Sequence, residues 1–194
     1  ESYSAGVGVE MDPEESLKLL RKSAEQGQAE AQFELAQRYY DGRGTRASPA
    51  QALFWLEKAA AQGIPEACTL LGIAHITGLS LPKNAEMGVH WFRIAAEKGE
   101  KNGQNNLGLA YLSGKGDEKD AEQAELWLSR AALAGLPDAQ LGLALLYEKD
   151  ELGESDPIRA YAWVALAVDQ RASGASTLQR RLGVVLSAAQ IAEA

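Results

Sequence analysis

A chain of 194 residues, 46% of them hydrophobic, carries enough apolar content to bury a core, which excludes an intrinsically disordered class. Its formal net charge of −8 and pI near 4.9 leave no basic excess to neutralise a phosphate backbone, which argues against a nucleic-acid partner. A single cysteine, Cys68, cannot form an intramolecular disulfide, and no apolar run reaches the roughly 18 residues that a membrane-crossing helix needs.

Residues 1–12 lack the basic and apolar parts of a signal peptide. They carry Tyr3, Gly6 and Gly8, a spacing that returns at Tyr39, Gly42 and Gly44, a step of 36. All four tryptophans obey the same step, with Leu19 before them: Trp55, Trp91, Trp127 and Trp163. A fixed period of this length is the mark of a helical repeat array. Residues 1–27 are therefore expected to be a partial repeat, and the chain a piece of a longer solenoid.

Each following unit repeats one plan. Leu35, Leu71, Leu107 and Leu143 are each followed by Ala36, Gly72, Gly108 or Ala144, and then by Tyr39, His75, Tyr111 or Tyr147. A bulky ridge beside a small notch lets a second helix approach closely, so Ala29 to Tyr40 and its copies read as a helix A. Asp12, Ser48, Asn84, Asp120 and Asp156 then open helix B, with Pro13, Pro49 and Pro157 after three of them. A short polar side chain accepts from an orphan backbone N–H there, and proline at the first helical position loses no hydrogen bond. Gly27, Gly63, Gly99 and Gly135 end helix B, and Pro65 and Pro137 begin the next helix A. Complete repeats are expected at 28–63, 64–99, 100–135 and 136–171. In 172–194 Gln179 and Arg180 replace the Leu and small residue, which suits degenerate capping helices, with Ser187 starting the last.

The fold class that follows is all-α, a right-handed α/α solenoid of antiparallel helix pairs. The pairs Gly42 and Gly44 and Gly114 and Gly116 follow helices rather than strands, so helix termination explains them better than phosphate binding. His75 stands on the tyrosine ladder and His90 beside Trp91; neither has a sequence neighbour to orient it as a catalyst. Cys68 replaces the glutamine of Gln32, Gln104 and Gln140, and no metal-ligand spacing occurs. No catalytic residue, metal or cofactor is expected.

The string A-x3-LG-x2-Y-x2-G-x-G, then D, then A-x2-W-x3-AA-x2-G resembles the SEL-one-like repeat, a relative of the tetratricopeptide repeat; Gly103 stands where that pattern has alanine. The resemblance implies a non-catalytic scaffold that binds a protein or peptide on a concave face lined by helix A. It also implies a bacterial origin and a periplasmic or cell-envelope setting, although no residue selects a compartment. By similarity to tetratricopeptide repeats, the groove positions lie five, two and one before the ladder leucine and two, five and six after it. Those offsets select Phe33, Gln37, Tyr40, Thr69, Ile73, Ile76, Asn102, Asn105, Asn106, Leu109, Leu112 and Leu145, with Glu30, Glu66, Thr77, Ser113, Asp138 and Leu141 beside them. Apolar residues surplus to repeat packing mark an interaction strip, and the asparagines suit a peptide backbone. Burial between neighbouring helices is the competing reading for each aliphatic residue. Five helices A at roughly 10 Å would span a groove for about a dozen extended residues. The alternative function is a structural or carbohydrate-associated envelope component, with Phe33 and Tyr40 as aromatic platforms.

Overall fold

A computed structural model describes residues 13–149, 152–153 and 155–194, so Tyr3, Gly6, Gly8 and Asp12 lie outside the described residues. Every regular element among those described is a helix. Helices B are α1 (Pro13–Glu25), α3 (Pro49–Ala61), α5 (Ala85–Glu97), α7 (Ala121–Leu133) and α9 (Pro157–Asp169). Helices A are α2 (Ala29–Asp41), α4 (Pro65–Thr77), α6 (Lys101–Ser113) and α8 (Pro137–Glu148), followed by α10 (Ala175–Val185) and a short α11 (Ala188–Glu193). Each helix from α2 to α10 packs on the one before it, giving the α/α solenoid. Helices A also touch across repeats, α4 against α6 and α6 against α8, which makes them the inner layer.

Hydrogen bonds fix the boundaries with the same period. The side chains of Ser48, Asn84, Asp120 and Asp156 accept from the N–H groups of Gln51, Met87, Gln123 and Arg159. At the other end of helix B, the Gly63 N–H donates to Ala60 at 2.8 Å and Ile64 to Ala59 at 3.1 Å, closing a Schellman motif that needs a left-handed residue at Gly63 (φ +85°). Gly42 and Gly114 cap helices A in the same left-handed region, in agreement with termination rather than phosphate binding.

Between repeats a buried amide recurs. Gln32 Nε2 donates to the Ala24 carbonyl at 3.1 Å, Gln104 to Ala96 at 3.3 Å and Gln140 to Ala132 at 3.4 Å. Cys68 occupies that place in the second repeat, its Sγ 3.8 Å from the Ala60 carbonyl, and burial raises its thiol pKa. The tyrosines of the ladder tie α2, α6 and α8 to the helix B before each of them. Arg21 donates to the Tyr39 hydroxyl and Arg93 to the Tyr111 hydroxyl, while Tyr147 donates to the Glu125 carboxylate. Burial, followed by that carboxylate, pushes Tyr147 up to about 12.

Core packing follows the ladder, with Leu35, Leu71, Leu107 and Leu143 all fully buried. Of the tryptophans only Trp55 is buried; Trp91, Trp127 and Trp163 are half-buried, because so large a ring at the outer layer keeps one edge in solvent. In the second repeat two glycines face each other where the helices cross. A Cβ added to Gly72 would sit 2.6 Å from the Phe92 ring and 2.9 Å from the Gly88 carbonyl, and one on Gly88 would meet Ile76 at 2.7 Å. Phe92 thus fills space where Leu56, Leu128 and Val164 stand elsewhere. Gly72→Ala is expected to cost about 1–2 kcal/mol, overpacking outweighing a helix-propensity gain of up to about 1 kcal/mol. Phe92→Leu in the same chain should recover part of that loss in urea melts; a stabilised single variant would contradict the crossing. Gly103 has a parallel cause, since a Cβ there would lie 2.6 Å from that of Ala95.

Candidate partner-binding face

Two apolar hollows open on the helix A layer, one repeat apart. The first, about 190 Å³, lies among α2, α3 and α4, walled by Gln37, Tyr40, Leu53, Leu70, Ile73 and Leu79. The second, also about 190 Å³, lies among α4, α5 and α6, walled by Ile73, Ile76, Phe92, Asn106, Leu109 and Ser113. Gln37, Tyr40, Leu56, Leu70 and Ile73 of the first are 36 residues before Ile73, Ile76, Phe92, Asn106 and Leu109 of the second, so the two are the same structural position. Ile73 is the ridge they share. Its side chain is exposed, as are Tyr40, Leu70, Leu79 and Leu109.

The remaining groove candidates divide by their surroundings. Phe33 packs against the N-terminal core, and Leu112, Leu141 and Leu145 pack against the C-terminal core. Thr69 and Asn105 are buried, which corrects their expected place on the surface. The offset two before the leucine lies in the seam between adjacent helices A, where the Thr69 hydroxyl donates to Glu100 Oε2 at 2.7 Å and a Cβ on Gly103 would approach Thr69 Oγ1 to 3.0 Å. Asn102 is exposed but its amide is spent on Glu100 Oε1 at 2.8 Å. Thr77 and Ser113 hydroxyls donate to carbonyls of their own helices. Gln37, Tyr40, Ile73, Ile76, Asn106, Leu109 and Ser113 are therefore the candidates that line hollows. Leu53, Leu70 and Leu79 complete the first hollow without having been singled out, although Leu70 occupies the same offset as Asn106.

Glu100 organises the start of α6 beneath this face. Its carboxylate accepts from the Asn102 N–H at 3.0 Å and the Gly103 N–H at 2.6 Å, a side-chain cap that the equivalent Gln28, Ile64 and Leu136 do not supply. Burial raises the carboxyl, but the hydrogen bonds from Thr69, Asn102 and Gly103 overcome it and hold Glu100 below its ordinary value. A depressed folded-state pKa gives stability that is present above the unfolded pKa and lost as pH falls through the folded one. Glu100→Gln should therefore lower stability at pH 7 and flatten the decline between neutral pH and the acid side of the carboxylate range. Thermal melts across that range check this, and parallel curves for the two proteins would contradict it.

Titratable groups do not converge into a reactive centre at either hollow. Among the described residues no group of three His, Cys, Asp or Glu side chains is placed to hold a metal ion. His75 Nδ1 and Trp91 Nε1 are buried without a hydrogen-bond partner among the described residues, and His75 is not among the residues that line either hollow. No described helix is long and apolar enough to cross a membrane.

A family model described as the Sel1 repeat matches residues 1–28, 29–64, 65–100, 102–136 and 137–171. Among solved structures, a protective antigen of uropathogenic Escherichia coli strains displaying an SLR fold is similar at 35% identity and TM-score 0.86, covering 97% of this chain and 40% of its own. A Sel1 repeat protein from Oxalobacter formigenes is similar at 34% identity and TM-score 0.74, covering 88% of this chain and 50% of its own. The chain thus spans half or less of either protein. Cysteine-rich protein B of Helicobacter pylori, at 21% identity and TM-score 0.52, covers 70% of this chain and 97% of its own, and shares the fold. No curated protein sequence matches significantly.

Proposed function

The chain belongs to the Sel1 repeat family, and from that premise we propose that it is a non-catalytic interaction scaffold whose helix A face, over α2, α4 and α6, holds a segment of a partner protein. The observation that carries this reading is the pair of register-equivalent hollows. Repeat packing alone requires the buried leucine ladder, yet Tyr40, Leu70, Ile73 and Leu109 add a contiguous exposed apolar strip beside it. Clusters of aliphatic and aromatic side chains around a concavity are where binding energy concentrates.

The carbohydrate-associated alternative draws on aromatic platforms, and Phe33 is partly buried against the core, leaving Tyr40 as the exposed ring of that pair. Affinity capture from the source cells, run in parallel with the wild-type chain and Ile73→Asp, tests the scaffold reading. One partner retained by the wild type and lost by the variant is expected. Equal retention by both would place binding elsewhere, and glycan binding without protein capture would favour the alternative. Because Ile73 is exposed, the variant should keep the wild-type melting temperature to within a few degrees.

A further inference from the structure

The two hollows share a structural position but not a chemistry, and the difference selects what their occupant carries, an inference that rests on the scaffold reading above. Ile73 lines both, so a segment lying over this ridge borders both. Two lining places change in character over one step of 36: Leu70 gives way to Asn106, and Leu79 to Lys115. The first hollow therefore has aliphatic groups where the second has a carboxamide and a cation. Asn106 makes no side-chain hydrogen bond among the described residues, and the Ser113 hydroxyl is spent on the Leu109 carbonyl at 2.8 Å.

One charged residue lines each hollow, Asp41 the first and Lys115 the second. Asp41 Oδ2 is paired with Arg43 at 3.0 Å. Lys115 is exposed and forms no ion pair among the described residues, and Asp117, two places on, is held by Arg93 at 2.6 Å. The charge that the two linings leave uncompensated is thus positive and sits at the second hollow. An occupant that covers it takes water from the Lys115 ammonium and the Asn106 amide, which is costly unless acceptors replace that water. Both groups donate, and a carboxylate is the side chain that accepts from both while matching the charge. The chain's net charge of −8 opposes this only at long range, because salt at physiological strength screens exposed charges beyond about 8 Å.

We propose that this face takes a partner-protein segment that buries an apolar side chain in the first hollow and sets an aspartate or glutamate against Lys115 and Asn106 at the second. The test is a random peptide library on phage, panned against the chain with the Ile73→Asp chain as counter-selection; thermal melts verify that every variant is folded. The expected consensus pairs an apolar residue with Asp or Glu. Synthetic peptides with that consensus should lose about threefold or more in affinity for Lys115→Glu, and nothing for Lys101→Glu, an exposed lysine of α6 that lines neither hollow. Replacing the peptide's acid by lysine should reverse the preference, so that Lys115→Glu binds better than the wild type. Ile73-dependent peptides without an acid, or equal affinity for Lys115→Glu and the wild type, would overturn this inference and leave the scaffold face standing. So would equal losses at Lys101 and Lys115, which would mark a general charge effect. Failure to enrich any Ile73-dependent peptide would overturn both readings.

Discussion

Trp55→Ala should lower the unfolding free energy by about 3–5 kcal/mol, as read from urea melts followed by far-UV circular dichroism. Trp55 is the buried member of its ladder and packs in the N-terminal core with Leu35, Leu56 and Leu71. Truncation removes a large apolar surface and leaves a cavity between two repeats that helix relaxation cannot close. The same change at Trp91, Trp127 or Trp163 should cost less, about 2 kcal/mol, since part of each ring already meets solvent. Equal losses at all four would show that burial does not set the ladder's energetics. In a solenoid each repeat is stabilised through its neighbours, so the Trp55 variant should also loosen α2 to α4 before the C-terminal repeats.

Gln32→Leu should cost about 1–3 kcal/mol although it roughly conserves volume and adds apolar surface. The amide is buried, donates to the Ala24 carbonyl at 3.1 Å and accepts from Gln62 Nε2 at 2.7 Å, and Gln62 also donates to Gly27 at 2.9 Å. Leucine deprives a repeat junction of a donor and an acceptor at once, and the buried carbonyl that remains has lost its side-chain partner. Gln140, which accepts from Gln170 at 3.0 Å, is the equivalent junction near the other end and should respond alike. Cys68 shows that one position of this ladder tolerates a weaker group. A neutral Gln32→Leu variant would mean that packing alone sets the junction.

Most of the fold was legible because each helix boundary has a chemical cause that recurs in sequence. Ser48, Asn84, Asp120 and Asp156 cap helices as their side chains predict, and Gly63, Gly99 and Gly135 turn the chain where a Cβ would be strained. The ladder also located the inner layer, since Leu71 and Leu107 can be buried only if their helices pack on both neighbours. Burial at the groove was less legible. A side chain's offset from the leucine gives its angle on one helix and says nothing of how near the next helix comes. Thr69 and Asn105 fell into the seam for that reason, and Leu112 and Leu145 pack, partly buried, against the C-terminal core. Leu79 was invisible because it belongs to a loop place held by Arg43 and Lys115 in the neighbouring repeats. Phe92 and Gly103, which depart from their ladders, are explained only in three dimensions: Gly72 admits the Phe92 ring, and Gly103 clears Ala95.

The proposed face covers only part of the array. Exposed apolar surface lies over α2, α4 and α6, while Leu112, Leu141 and Leu145, farther along, pack partly buried against the C-terminal core. Site-specific photocrosslinking in the source cells measures this directly, with a photoreactive amino acid at Tyr40 on the helix A face or at Phe54 on helix B. Both positions are exposed in the free chain, at 60% and 46%. A single protein crosslinked from position 40 and not from position 54 is the expected result. Crosslinking from position 54 with none from position 40 would contradict binding on the helix A face.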